Sequence, residues 1–466
     1  MMNKNFILKS DGYKETHWNQ LPENTTECYS YFESRGGERD KILFFGLQYV
    51  LKEHFLGQKV TMEKIDEAEL FCKKYFGAEL FNRHLWEYIA KEHNGFLPLK
   101  IKAVPEGTVL DGHNAMYTIV NTDPQCAWLT NFAETLLSHV WYTTTVATNG
   151  WHTKKLISSM RNVTSDTLDG VDFSLHDFGF RGVSCEEQAE VGGMAHLVNF
   201  FGTDTLVGIL CAQEYYNSND MLGFSVPASE HFTMTSWGRE HEVDAYRNML
   251  QKYPNGIVSV VSDSYDIFNA CENIWGGILK EDILKRNGKL VIRPDSGDPV
   301  EVNRKLLHIL WDKFGGQTNS KGYKVLDNHI GILQGDGIDY QMIDKILSMV
   351  KEEKFSAENI IFGSGGGNLM KVNRDTLKFA IKASCVTVDG MERNVSKCPI
   401  TDKGKMSKSG KLKLTRKIGL QQSFVTITSN ETEYENTIDE LVDVYENGKL
   451  LKEYTFEDVR KRARAS

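Results

Sequence analysis

The feature that most limits the fold is a series of seven short apolar runs, each ending in small or acidic residues. In order they read L-H-D-F-G-F-R-G (175–182), F-G-T-D-T (201–205), F-S-V-P-A-S-E-H (224–231), I-V-S-V-V-S-D-S-Y-D (257–266), V-I-R-P-D-S-G (291–297), I-G-I-L-Q-G-D-G-I-D (330–339) and I-I-F-G-S-G-G-G (360–367). Helical patterns separate the later runs, over Glu242–Lys252, Ile267–Lys285, Val300–Phe314 and Tyr340–Lys351. A short continuous apolar run suits a strand covered on both faces, and alternation with helices implies a parallel sheet. Seven polar strand ends point to a closed or nearly closed β/α barrel with its site at the C-terminal face. A doubly wound open sheet is the alternative.

The flanks read differently. Residues 1–164 form an α+β region. Helices are expected over Arg39–Phe55, Glu63–Tyr75 and Arg83–Glu92, and strands fall between 97 and 120. One or two long helices are expected over Trp128–Met160, with a break near Asn149-Gly150. The barrel takes residues 165–373. The tail, 374–466, reads as short strands around a basic loop with Lys397, Lys403, Lys405, Lys408 and Lys411, packing with the N-terminal region; Asn447-Gly448 closes a hairpin. A chain of 466 residues has room for this barrel and a second domain. The net charge of −9 argues against broad nucleic-acid binding. The N-terminus has no apolar signal region and no run reaches membrane-spanning length. None of the eight cysteines forms a C-x-x-C pair, so they read as reduced thiols of an intracellular, cytoplasmic protein.

The strand ends carry the chemistry. In K-L-V-I-R-P-D-S-G-D-P (289–299) the strand delivers Arg293 and Asp295 to its own C-terminal end. A guanidinium there suits a phosphate, and the carboxylate suits a sugar diol or a metal-bound water. A surface turn with an ion pair is the other reading. Gly335-Asp336-Gly337 adds a second carboxylate, and ribose hydroxyls would satisfy both. Asp263 and Asp266 are candidates to hold Mg2+ through waters, or to cap the next helix. In Gly363-Ser364-Gly365-Gly366-Gly367 the glycines let backbone N–H groups approach a phosphate, with Arg374 close behind. No HExxH, G-x-S-x-G or clustered Cys/His set appears, which weighs against zinc chemistry and serine hydrolases.

Taken together, S-D-G-Y-K, Y-S-Y-F-E-S-R, H-D-F-G-F-R-G-V-S, G-T-D-T, S-V-P-A-S-E-H, V-S-D-S-Y-D-I, I-R-P-D-S-G, Q-G-D-G-I-D and F-G-S-G-G-G closely resemble, in order and over nearly the whole chain, the nicotinamide phosphoribosyltransferase family. The resemblance implies the type II phosphoribosyltransferase fold, a β/α barrel beside an α+β domain. It implies a reaction of nicotinamide with phosphoribosyl pyrophosphate, with Mg2+, and a homodimer with shared active sites. It also implies roles. Phe178 stacks on the pyridine ring, and Tyr13 of the other subunit covers the second face. Asp204 accepts from the carboxamide, and Arg181 and Ser225 lie near the ring and the pyrophosphate. Arg293, Asp295, Gly335 and Asp336 hold phosphate and ribose, while Gly365, Gly366 and Arg374 bind the 5′-phosphate. His231 is phosphorylated by ATP, the activating co-substrate. Arg35, Lys382, Lys397 and Lys405 face phosphates. The chain departs from the family pattern at Gly12, Phe180 and Ala380.

The resemblance sets the expected chemistry as transfer at C1′ through an oxocarbenium-like state, which needs leaving-group stabilisation and no strong base. The rivals are a nicotinate or quinolinate phosphoribosyltransferase, against which Asp204 argues by charge, a non-catalytic binder of NAD metabolites, and a barrel aldolase. No lysine stands at an expected strand end to serve the last.

Overall fold

The computed structural model describes residues 5–401, 406–416, 423–428 and 437–466. Lys403 and Lys405 of the basic loop lie outside the described residues. The chain divides into two units, Met1–Thr148 with Ala212–Ser218 and Asn373–Ser466, and Asn149–Cys211 with Asn219–Val372. The first boundary thus falls at 148, not 164. It lies inside one uninterrupted helix, Val140–Thr164. The break expected at Asn149-Gly150 does not occur. Gly150 is instead a packing glycine, because a Cβ there would sit 2.9 Å from Asn199 Nδ2.

The first unit is built on a seven-stranded sheet that is antiparallel throughout. Its order is Met391–Asn394, Phe379–Val388, Thr25–Ser34, Ala115–Asn121, Leu99–Ala103, Val442–Glu446 and Lys449–Leu450. The three strands from residues 25–121 are therefore flanked on both sides by strands of the tail. Phe32 on the central strand stacks between Tyr117 and Phe379 of its two neighbours, with ring centroids 4.7 and 5.0 Å apart. The hairpin at Asn447-Gly448 is present, both residues having positive φ as a two-residue type I′ turn requires. The segment 212–218 joins this unit through Tyr216. Its ring stacks on Phe45, and its hydroxyl donates to the buried Glu106 carboxylate at 2.6 Å. That tie is tertiary and explains why reading the chain in order misses it.

The helix expected over Arg39–Phe55 is shorter. Lys41–Leu43 pairs as a strand with Val109–Asp111, and the helix runs only from Leu47 to His54, behind Gly46 at φ 103°. Met62–Phe76 and Arg83–Glu92 form as expected, capped by the Thr61 and Asn82 side chains.

The second unit is the barrel. Six parallel strands lie in the order Gly202–Thr203, Leu175–Asp177, Ile360–Ser364, Ile330–Gln334, Leu290–Arg293 and Val258–Val261. The seventh run, 224–231, forms no ladder because Pro227 lacks an N–H. It nevertheless bridges both edges, Phe224 to Gly202 and Ala228 to Ser259, so the ring closes. Helices Pro299–Phe314 and Tyr340–Glu352 pack with these strands in one core containing Ile292, Ile332, Leu306 and Ile346. Between Val258–Val261 and the next strand the expected helix is interrupted by a π-helical stretch, Ala270–Ile278, which sets Trp275 against Tyr246 at 4.3 Å. Among the described residues no helix is long and apolar enough to cross a membrane. All eight cysteines are free thiols.

Candidate active site

The strand ends of the barrel surround a cavity of about 670 Å³. Its floor depends on the Cβ that Gly363 lacks. Phe178 follows the strand Leu175–Asp177, and its N–H donates to Ser364 O at 2.9 Å. That bond carries the ring across the neighbouring strands. A Cβ on Gly363 would lie 2.1 Å from Phe178 Cε2, and one on Gly335 would lie 3.5 Å from it. Gly363 therefore gives the ring room, while Gly335 lies at ordinary contact distance from it. Gly363→Ala is expected to displace Phe178 and raise KM for the pyridine at least about tenfold, as a packing change of one methyl group against a fixed ring does. Steady-state kinetics with each substrate varied in turn checks this, and an unchanged pyridine KM would remove the ring from the site.

Asp204, just past Gly202–Thr203, is fixed by its N–H to Asp177 O at 2.9 Å. Ser225 Oγ donates to Asp204 Oδ1 at 2.5 Å. His176 Nε2 lies 3.2 Å from the same oxygen, off a good hydrogen-bond line. Both neighbours thus converge on Oδ1 and leave Oδ2 to a ligand. Burial pushes the Asp204 carboxyl up, but contact with His176, the Ser225 hydroxyl and the charge of Arg293 outweigh it, so its pKa lies below the ordinary value. A carboxylate held ionised at the cavity wall is an acceptor and repels anions.

A second group gathers around Asp263, at the end of Val258–Val261. Its side chain is 4% exposed. His231 Nε2 is 3.0 Å from Asp263 Oδ1, and Ser296 Oγ donates to Oδ2 at 2.5 Å. Asp263 can only accept when ionised, so Nε2 carries the hydrogen and Nδ1 is left free. Nδ1 lies 3.8 Å from Asp295 Oδ2, which also lies 3.8 Å from Arg293 Nη2. Among the described residues Arg293 Nε is buried without an acceptor, as suits a group that meets an anionic ligand.

The strand-end carboxylates thus divide into two sets. Asp266 accepts from the N–H groups of Phe268 and Asn269, Asp298 from Val300 and Glu301, and Asp339 from Met342. These are helix caps. Asp266 caps its helix through Oδ1 alone, whereas Asp204, Asp295 and Asp336 line the cavity. Arg181, Gly335, Gly365 and Gly366 line it too. Residues that the sequence reading missed are His176, Ser296 and Glu230, a further part of the wall. The signal for His176 was present, since it stands two before Phe178 and so shares its face of the strand.

The remaining expected residues belong to the first unit. Arg35, Arg374 and Lys382 line a small cleft of about 90 Å³ together with Glu134. Burial lowers the pKa of Lys382; Glu134 opposes this, and Arg35, Lys397 and Arg374 add to it, so four cations face one acid. Such a cleft favours a phosphate. Tyr13 is 61% exposed, with its ring 5.2 Å from that of His17. Lys405 lies outside the described residues.

Against known proteins, the profile of the nicotinate phosphoribosyltransferase (NAPRTase) family matches residues 173–449, and that of the nicotinamide phosphoribosyltransferase N-terminal domain matches residues 5–101. A nicotinamide phosphoribosyltransferase of Xanthomonas campestris pv. campestris is 47% identical over 466 residues, 99% of this chain and 98% of the relative. The chain belongs to the nicotinamide phosphoribosyltransferase family. A second member, from Acinetobacter baylyi, is 34% identical over 97% of this chain and 95% of its own. Among solved structures, a nicotinate-nucleotide pyrophosphorylase from Pyrococcus furiosus aligns with TM-score 0.62 at 15% identity, covering 100% of this chain and 96% of that one. Human nicotinic acid phosphoribosyltransferase aligns with TM-score 0.55 at 13% identity, over 98% and 93%. At such identities the likeness speaks to the fold, which is that of the type II phosphoribosyltransferases. The family makes the chain an enzyme, a pentosyltransferase.

Proposed function

We propose that the protein transfers the 5-phosphoribosyl group of phosphoribosyl pyrophosphate to nicotinamide, giving nicotinamide mononucleotide and pyrophosphate in NAD salvage. The observation that carries the choice of pyridine is the ionised Asp204 carboxylate, with one oxygen engaged and the other free for an amide N–H. A nicotinate carboxylate in that place meets a like charge.

In this reading the ring lies on Phe178, and Asp204 fixes its amide so that the ring nitrogen faces C1′ of the ribose. Asp295 and Asp336 accept from the ribose hydroxyls, and Gly365 and Gly366 present backbone N–H groups to the 5′-phosphate. The C1′–O bond to pyrophosphate breaks as the bond from the ring nitrogen to C1′ forms, and pyrophosphate leaves with the electron pair. Arg293, aided by Arg181, stabilises that anion. The ring nitrogen carries no proton to be removed, so the site needs no general base. Mg2+ fits by donor chemistry, since Asp263 and Asp295 are hard oxygen ligands. With both Asp263 oxygens engaged by His231 and Ser296, contact runs through water. When bound, the ion neutralises pyrophosphate charge.

ATP acts as activating co-substrate. His231 Nδ1 attacks the terminal phosphoryl group, ADP leaves, and water later breaks the N–P bond to release phosphate. Asp263 orients the ring by holding Nε2. The substrates are products of central metabolism, so we place the enzyme in the cytoplasm.

We infer further that it works as a homodimer in which Tyr13 of a second copy covers the pyridine. Tyr13→Ala and Asp295→Ala homodimers are expected to be nearly inactive. A mixed dimer of the two has one site carrying neither change and should recover activity. Purified mixed dimers that stay inactive would remove the shared site. The substrate assignment is tested by pyrophosphate release, which nicotinamide should trigger and nicotinate or quinolinate at equal concentration should not. Equal release with nicotinate would place the chain with acid-specific enzymes.

A further inference from the structure

Three side chains of the first unit, none with a part in the proposed reaction, converge on one point. His93 follows the helix Arg83–Glu92 as its C-cap. Asp123 follows the strand Ala115–Asn121 and caps the 3-10 turn Pro124–Cys126. Asp123, extended at the N-cap, and Cys126, at the end of that turn, bring their side chains to the same side. Nitrogen, oxygen and sulfur ligand atoms of His93, Asp123 and Cys126 all lie within 4.8 Å of one another. Cys126 is 0% exposed, and its thiol takes part in no disulfide.

We propose that His93, Asp123 and Cys126 bind a zinc-type divalent transition-metal ion, with a water completing the tetrahedron. The donor set decides the class. One imidazole, one thiolate and one carboxylate suit zinc or its cobalt substitute, and do not suit magnesium or calcium. Zinc bonds of about 2.0–2.3 Å set ligand atoms roughly 3.3–3.7 Å apart. The His93 Nε2–Asp123 Oδ2 contact is 2.9 Å, so the pair opens by less than about 1 Å to admit the ion. Outer partners are already in place. Gln125 N–H donates to Asp123 Oδ1 at 2.8 Å and the Tyr88 hydroxyl to Oδ2 at 3.0 Å, which fixes the carboxylate. Burial pushes the Cys126 thiol up to about 12, so the thiol is protonated until an ion arrives. The ion takes the place of that proton, and the imidazole hydrogen moves to Nδ1. His93 and Asp123 are partly exposed and give the ion its way in. The bound ion fastens the end of a helix to the turn after a central strand.

The test is a cobalt titration of the full-length, chelator-dialysed protein without substrates. One equivalent should produce the thiolate-to-cobalt band in the near ultraviolet and the visible bands of a tetrahedral ion, both removed by zinc. Cys126→Ala should abolish the near-ultraviolet band. His93→Gln, at a partly exposed helix C-cap, should weaken uptake at least about tenfold. No thiolate band in the wild type, or a band unchanged in either variant, would overturn the site.

Discussion

Asp204→Asn is expected to lower kcat/KM for nicotinamide by about 1.5–3 kcal/mol, or roughly ten- to a hundredfold. The loss comes from the geometry around Oδ1. Ser225 donates to that atom, so the asparagine keeps its oxygen there and turns its NH2 toward the cavity. A donor then faces the donor of the carboxamide, and the like-charge exclusion of nicotinate disappears with the carboxylate. The nicotinamide to nicotinate preference should therefore narrow from both sides. Competition kinetics on the wild type and the variant measure it. A variant with unaltered preference would mean that Asp204 does not read the amide.

His231→Ala is expected to remove ATP stimulation and ATP hydrolysis altogether while leaving a slow, ATP-independent transfer. Nothing in bond formation at C1′ requires an imidazole base. A phosphorylated ring would add about two negative charges between Asp263 and Asp295, where they would organise a cation accompanying pyrophosphate. The wild type should carry an acid-labile phosphate after exposure to ATP, and the variant none. Asp263→Asn separates two roles of the pair. It leaves the histidine and an amide oxygen to accept its Nε2 hydrogen, but removes the charge that balances the ring as Nδ1 takes up phosphate, so phosphorylation should slow without being lost. A His231→Ala enzyme that ATP still stimulates to the wild-type degree would contradict the phosphohistidine.

Much of the barrel is legible in the sequence because a parallel sheet buried on both faces leaves a local signature, a short apolar run with a polar end. Leu290–Arg293, Ile330–Gln334 and Ile360–Ser364 lie where their runs stand. The run at 224–231 is different. Its composition suits a strand, but Pro227 reduces it to single bridges, and only the tertiary fold shows that these bridges close the ring. The helix expected from Arg39 failed for a similar reason. Residues 41–43 are apolar enough for either state, and pairing with 109–111, far along the chain, decides between them.

The site was legible to the extent that its residues stand at strand ends. Asp263 and Asp266 show the limit. They are three residues apart in one run, yet one binds His231 and the other caps a helix. Local sequence favours capping for both, and only the position of the His231 helix separates them. Gly363 is a further case. Its spacing suggested phosphate binding, whereas its lack of a Cβ admits the Phe178 ring, a contact between strands that no local pattern records.

A barrel that joins phosphoribose to an amide pyridine must prefer nicotinamide over nicotinate when both are present. The direct measurement is a single incubation of the purified protein with phosphoribosyl pyrophosphate, Mg2+, ATP and equimolar nicotinamide and nicotinate, with the nucleotide product identified by mass. Nicotinamide mononucleotide is expected in large excess. A product that is mainly nicotinate mononucleotide, or no nucleotide at all, would contradict it.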